Sequence, residues 1–320
     1  MVIKKDCSKG QAVSLLKQVT EKEQKKLKSG FVTLIGRPNS GKSTLLNNLL
    51  GEKVSIVSNK PQTTRNKILG ICTRKEGQIV FIDTPGIHKP GYELNRRMMQ
   101  AVHDSLEDVN LILVLVDATT RFGNGDRFVL DLIKEREMDI ILLLNKIDLL
   151  NKVKLLPLID FYSKQYDFID IIPISGLKGD NLSLLLKRIF NYIPDGNYFF
   201  SESQYTDCPE RFLTAEMVRE KVLHYTRKEI PYSSIVTVNR FEEDKDPVVH
   251  IYCDIFVEKE SQKKILIGAN GKKIKTIGID SRIEIEKLLG KKIYLNLFVR
   301  VKPKWRNDPK LLDQLLSPYR

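Results

Sequence analysis

Apolar residues in this chain follow two rhythms that alternate over residues 31–190. Residues 31–35, 111–116 and 140–144 are short, nearly continuous apolar runs, the pattern of strands buried on both faces. Residues 68–72, 78–82 and 171–174 read as further strands. Between them, 43–50, 128–136 and 182–190 repeat their apolar residues at helical spacing. Strand and helix in turn predict an α/β domain, a mostly parallel sheet with helices on both faces.

Pro194-Asp195-Gly196 breaks this rhythm, and a polar stretch follows. Beyond it the pattern predicts a helix over 209–229, strands over 234–241 and 248–257, and a helix. Then come Gly268-Ala269-Asn270-Gly271, another helix, and a strand over 292–301. This is a second, smaller α+β unit. Tyr294 and Phe298 alternate with apolar neighbours and read as core; Trp305 reads as packed. The expected division is a basic extension (1–29), a first domain (30–200), a linker (201–208), a second domain (209–306) and a tail (307–320). The extension reads either as one helix through Ala12, Val13, Leu15, Leu16 and Val19 or as disordered.

Charge sharpens the picture. The formal net charge is +13, and residues 259–310 hold 15 Lys/Arg against 5 Asp/Glu. A basic surplus concentrated there points to a polyanionic partner, nucleic acid or an anionic membrane surface. No apolar run is long enough to span a bilayer, and the Lys-rich N-terminus lacks the apolar segment of a secretory signal. Cys7, Cys72, Cys208 and Cys253 have no metal-like spacing and read as free thiols in a reducing compartment.

Three segments carry chemistry. Gly36-Arg37-Pro38-Asn39-Ser40-Gly41-Lys42-Ser43 fits GxxxxGK[ST] between a predicted strand and helix, the context of a phosphate-binding P-loop. Its backbone N–H groups and the helix N-terminus would surround phosphates, with Lys42 on the β/γ-phosphates and the Ser43 hydroxyl on Mg²⁺. Asp83-Thr84-Pro85-Gly86-Ile87 follows a strand; Asp83 would sit near the metal, and Gly86 permits close approach to a γ-phosphate. Asn145-Lys146-Ile147-Asp148 also follows a buried strand. Asp148 can accept from the N1–H and the exocyclic amine of guanine, a donor pair adenine lacks, which selects GTP over ATP. Asn145 and Lys146 would brace the base, and the backbone at Ser175-Gly176 would meet guanine O6.

In this order the segments resemble the P-loop GTPases of the translation-factor class. The resemblance makes Gln62-Thr63-Thr64-Arg65-Asn66 the mobile switch I loop and implies that Thr64, or else Thr63, joins Ser43 and Asp83 around Mg²⁺. The implied catalytic set is Lys42, Asp83, Gly86 and Thr64. Ile87 stands where Ras-like enzymes carry a water-orienting Gln, which implies slow intrinsic hydrolysis; His88 reads as an exposed loop residue rather than a base. Asn39 matches a position that holds K⁺ in some relatives.

The second unit has the element order of a type II KH module, with Gly268-Ala269-Asn270-Gly271 as its backbone-clamping loop. Lys272, Lys273 and Lys275 supply charge for RNA phosphates. The stretches at 216–233, 258–267 and 288–301, with Lys304-Trp305-Arg306, extend the resemblance to the Era family of bacterial ribosome-assembly GTPases, over about residues 30–306. Relatives usually carry a Lys where this loop has Ala269-Asn270, and Gly176 replaces their usual Ala. The resemblance implies GTP/GDP and Mg²⁺ as cofactors and the 3′ end of small-subunit ribosomal RNA and the 30S subunit as partners. It also implies a monomer in the cytoplasm with peripheral contact to the inner membrane. Two other readings stand beside it: a membrane-associated signalling GTPase whose basic surface binds anionic lipid, and a non-enzymatic RNA scaffold with a structural nucleotide.

Overall fold

The computed structural model describes residues 26–86, 91–134, 136–243 and 248–315. The extension before residue 26, including its expected helix, lies outside them. The first sheet contains β1 (Lys28–Gly36), β2 (Ile68–Arg74), β3 (Gly77–Asp83), β4 (Leu111–Asp117), β5 (Ile140–Asn145) and β6 (Asp170–Pro173) in the order β2-β3-β1-β4-β5-β6. The edge strand β2 runs antiparallel to β3, and the other neighbouring pairs are parallel. The alternate residues of each central strand feed two separate cores. Leu34, Leu113 and Leu143 face α1 (Lys42–Leu50) and, late in the chain, α5 (Leu182–Tyr192). Ile35, Val114 and Leu142 face α2 (Glu93–Asp104), α3 (Asn124–Lys134) and α4 (Leu155–Ser163). Burial on both faces is why these strands read as unbroken apolar runs.

The expected linker is held to this sheet. Just before it, Gln78 Oε1 accepts from the Phe199 and Phe200 N–H groups at 2.9 Å. The edge strand β2 donates from Ile71 N to the Tyr205 carbonyl at 3.0 Å. The Thr206 hydroxyl also donates to the Leu69 carbonyl at 2.8 Å, so part of the segment's polarity serves strand-edge pairing.

The second sheet joins β7 (Ile235–Glu242), β8 (Val248–Val257) and β9 (Lys292–Val301) in that order, β7/β8 antiparallel and β8/β9 parallel. One face packs on α6 (Glu210–Tyr225), α8 (Glu260–Ile267) and α9 (Lys272–Leu289) through Val218, Val222, Ile251, Ile255, Ile277 and Ile285. This is the type II KH order. The helix expected over 209–229 stops at Tyr225, where the Thr226 hydroxyl bonds back to the Val222 carbonyl at 2.6 Å. Lys228 then turns left-handed before the short α7 (Ile230–Ser233).

Two expectations need correction. Tyr294 and Phe298 are 47% and 45% exposed rather than core. Ile293, Leu295, Leu297, Val299 and Val301 occupy the core-facing positions, alternating with Lys292, Tyr294, Asn296, Phe298 and Arg300, so the two rings share the polar face of the period-two pattern. The expected tail is also more than a tail: α10 (Pro309–Leu315) buries Leu311 and Leu312 with Trp305 against Leu94 and Met98 of α2. Trp305 is fully buried, as expected, and its indole N–H donates to the Ser233 carbonyl at 2.8 Å.

Candidate functional site

The P-loop lies where β1 ends and α1 begins. A Cβ on Gly41, whose φ is +100°, would stand 2.3 Å from Asn145 Nδ2, so the loop can approach the base segment only with glycine there. Lys42 folds back over the loop, donating to the Gly36 and Arg37 carbonyls at 3.1 and 3.2 Å. Burial lowers its pKa to about 8, against the pull of Asp83. An ammonium buried over carbonyls is poised to transfer to phosphate oxygens. Arg37 turns away from this centre and pairs with Asp126 at 2.8 Å, fixing the loop to α3.

Ser43 Oγ donates to Asp83 Oδ2 at 2.7 Å and lies 2.8 Å from Thr64 Oγ1; Ser55 Oγ donates to the same carboxylate oxygen at 2.9 Å. Asp83 is fully buried, and its Oδ1 has no hydrogen-bond donor among the described residues. Burial pushes this carboxyl up, while Lys42 and the Ser43 and Ser55 hydroxyls hold it down. Two hydroxyls and an orphaned carboxylate oxygen form a hard-oxygen set that fits Mg²⁺. Thr63 instead donates its hydroxyl to the Lys60 carbonyl at 2.6 Å, so Thr64 is the threonine brought to this set. Thr84 Oγ1 donates to the Leu34 carbonyl at 2.7 Å, ahead of Pro85. A Cβ on Gly86 would come within 2.9 Å of Pro38 Cα, so this segment lies flat on the P-loop. Ile87 and His88 lie outside the described residues.

Asn145 joins the phosphate and base ends. Its Nδ2 donates to the Ser40 carbonyl at 2.7 Å, and its Oδ1 accepts from the Lys146 and Gly176 N–H groups at 2.8 Å. Asp148 accepts from the Ser175 hydroxyl at 2.6 Å, which orients its carboxylate. Lys146 pairs with Asp117 at 2.6 Å. Asn39 donates to the Asn59 carbonyl at 2.8 Å, linking the P-loop to the approach to switch I.

Sequence reasoning missed Asp117, Ser55 and Asp126. Asp117 was findable: it closes the apolar run of β4, in register with Asn145, at the strand end where Asp83 also sits. Ser55 and Asp126 sit in loop and helix text that carries no such signal.

In the second domain, Gly268 (φ 73°), Asn270 (φ 49°) and Gly271 (φ 72°) form a tight turn between α8 and α9. Ala269 and Asn270 stand exposed at its tip, Lys272 and Lys275 are exposed, and Lys273 is half-buried.

The segment from Val57 to Arg65, which includes most of the expected switch I, bridges the two domains, a contact no sequence pattern announced. Arg65 is 3% exposed, and its guanidinium donates to the carbonyls of Ser234 (2.8 Å), Pro231 (3.1 Å) and Tyr232 (3.4 Å), beside the Trp305 ring. Burial and the neighbouring Arg219 lower its pKa to about 9, with Glu216 opposing. Arg219 donates to the Thr63 carbonyl, Lys60 reaches the Leu223 and Thr226 carbonyls, and the Val57 N–H donates to Glu220 at 2.8 Å. On the other side, Arg306 covers the Tyr92 ring at 3.9 Å, next to α2.

Comparison with known proteins agrees with this fold. The family model described as 50S ribosome-binding GTPase matches residues 31–146, and the KH domain model matches residues 229–306. GTPase Era of Ruminiclostridium cellulolyticum is 50% identical over 288 residues, 90% of this chain and 97% of that protein. A crystal structure of Era in complex with MgGDPNP and nucleotides 1506–1542 of 16S ribosomal RNA superimposes with a TM-score of 0.88 at 42% identity. It covers 91% of this chain and 99% of that one. A point variant of Aquifex aeolicus Era bound to GDP·AlF4⁻ gives 0.87 at 42% identity, with the same coverage.

Proposed function

The chain belongs to the Era family of GTPases, and on that premise we propose that it is a GTP-gated factor for 30S subunit biogenesis that binds the 3′ end region of 16S ribosomal RNA. The observation that carries the gating is the adjacency of Thr64 and Arg65. One hydroxyl stands at the proposed metal site, and the next side chain is buried under the KH domain. A γ-phosphate and Mg²⁺ that hold Thr64 therefore also hold Arg65 on residues 231–234, and hydrolysis frees both. By linkage, RNA strengthens GTP binding by the factor that GTP strengthens RNA binding.

Ser43, Thr64 and Asp83 would hold the Mg²⁺, which supplies charge stabilisation to the transferring phosphoryl group. Lys42 moves from its carbonyls to the phosphates, and the Gly86 N–H reports the γ-phosphate. Arg37 and Asp126, Thr84, Pro85 and Asn145 shape the pocket, and the Asp148 carboxylate, oriented by Ser175, selects guanine. The residue after Gly86 is Ile87, which has no group to orient water, so intrinsic turnover is slow. Asn39, whose Nδ2 donates to the Asn59 carbonyl, would offer its Oδ1 to K⁺, which would supply positive charge beside the phosphates. Residues 30–200 form the GTPase unit and 209–306 the KH unit. RNA phosphates run along Gly268, Ala269, Asn270 and Gly271, with Lys272, Lys273 and Lys275 beside them.

The test is phosphate release with and without the 16S 3′-end RNA. Release that is abolished by Lys42→Ala and altered by the RNA supports the reading. Among the described residues no helix is long and apolar enough to cross a membrane. Co-sedimentation of RNase-treated protein with anionic vesicles is the assay that would favour the lipid alternative instead.

A further inference from the structure

We propose that the open face of the KH sheet, opposite its helices, is a second single-stranded RNA platform that stacks bases leaving the GxxG groove. The inference rests on the groove reading and adds a surface to it.

The parallel register of β8 and β9 puts His250 beside Tyr294, Tyr252 beside Asn296 and Asp254 beside Phe298, all on the face away from the core. The His250 and Tyr294 rings lie 5.4 Å apart and the Tyr252 and Tyr294 rings 6.1 Å apart. Arg240 covers Tyr252 at 5.4 Å, and Arg300 covers Phe298 at 5.8 Å while paired with Asp254 at 2.5 Å. Large aromatic side chains rarely stand half-exposed in a row without a partner.

The chemistry of the row favours nucleic acid. Rings with guanidinium planes over them offer flat stacking surfaces to bases of any sequence, the guanidiniums being held in place by Glu242 and Asp254. Tyr, Phe and Arg are also found at protein-binding faces, but the surplus of 15 Lys/Arg over 5 Asp/Glu in residues 259–310 favours a polyanion here. The row is also continuous with the groove: Tyr294 lines the cleft between β9 and α9, together with Ile274, Gly278 and Ile279, and belongs to the aromatic row as well. β9 is the edge strand, so a chain leaving the cleft crosses one strand to reach the open face.

The test uses the full chain and two fluorescent oligonucleotides of the 16S 3′ end. A short probe of about five nucleotides fills the groove alone, and a long one of about twelve extends past it. Wild type should bind the long probe about 10-fold or more tighter than the short one, as one or two additional stacked bases would give. Tyr252→Ala with Phe298→Ala should erase that advantage and leave the short probe unchanged. Phe298→Tyr should keep it. Tyr252→Leu, which retains apolar bulk for folding, should reduce it. An advantage that survives removal of both rings, or equal weakening of both probes, overturns the platform. Indifference of the short probe to Lys272→Glu with Lys273→Glu overturns the groove reading instead.

Discussion

Arg65→Ala is the perturbation that isolates the proposed coupling. The side chain contributes two well-formed hydrogen bonds and one longer one to KH-domain carbonyls. Hydrogen bonds to a charged donor contribute about 1.5–3 kcal/mol each, a gross term of about 3–6 kcal/mol for the two short ones. Against this stand the desolvation of a guanidinium bonded to carbonyls rather than to a carboxylate and the repulsion of Arg219, both visible in its lowered pKa. A net loss of about 2 kcal/mol is a reasonable balance, roughly 30-fold in an equilibrium constant, and allosteric couplings are typically about 1–3 kcal/mol. Losing Arg65 alone should therefore remove most of the coupling. The assay is fluorescence anisotropy of labelled 16S 3′-end RNA with the full chain, in a GTP analogue and in GDP at one salt concentration. In wild type the ratio of the two affinities is the coupling. In Arg65→Ala it should fall close to one, with GDP affinity nearly unchanged, because the Arg65 hydrogen bonds go to the KH domain and not to the nucleotide pocket. Arg65→Lys, with one donor head in place of a planar fork, should lie between. A ratio equal to that of wild type in Arg65→Ala would refute the route through switch I.

Other expectations follow from the pocket. Asp148→Asn should weaken GTP binding by about 100-fold or more, because the amide cannot accept from both guanine donors. It should favour xanthosine triphosphate, whose C2 oxygen accepts from the new amide; competition binding reads both. Asn145→Ala unties the P-loop from both base loops and should weaken GDP and GTP alike. Lys42 titrates near 8 in the nucleotide-free protein but near 10.5 unfolded. Between those values the unfolded chain binds more protons, so the nucleotide-free protein gains stability as pH rises from about 8. Phosphates need the charged lysine, so the GDP-induced rise in Tm should shrink over the same window; a constant rise would contradict this. Hydrolysis should be faster in potassium than in sodium buffer, and equal rates would remove K⁺ from Asn39.

Much of this was legible in the sequence because glycine, proline and buried strands constrain local geometry strongly. The phosphate loop, the Asp83 and Asn145 strand ends and the GxxG turn each need residue types that few alternatives can replace, and each lies at the strand end or turn its motif requires. What stayed hidden was non-local. Arg65 looks like any loop arginine until residues 231–234 are folded beneath it. Leu311 and Leu312 look like tail until α2 covers them. Tyr294 and Phe298 are a different case: the aliphatic residues 293, 295, 297, 299 and 301 alternate with Lys292, Asn296 and Arg300, so the sequence already places both rings on the polar face, and counting an aromatic ring as core hides it.

The most direct test of the central claim is the affinity of the wild-type chain for the single-stranded 16S 3′ tail and for a scrambled sequence, each with a GTP analogue and with GDP at fixed salt. The account predicts preference for the true sequence, strengthened by the analogue. Equal binding in all four combinations would contradict it.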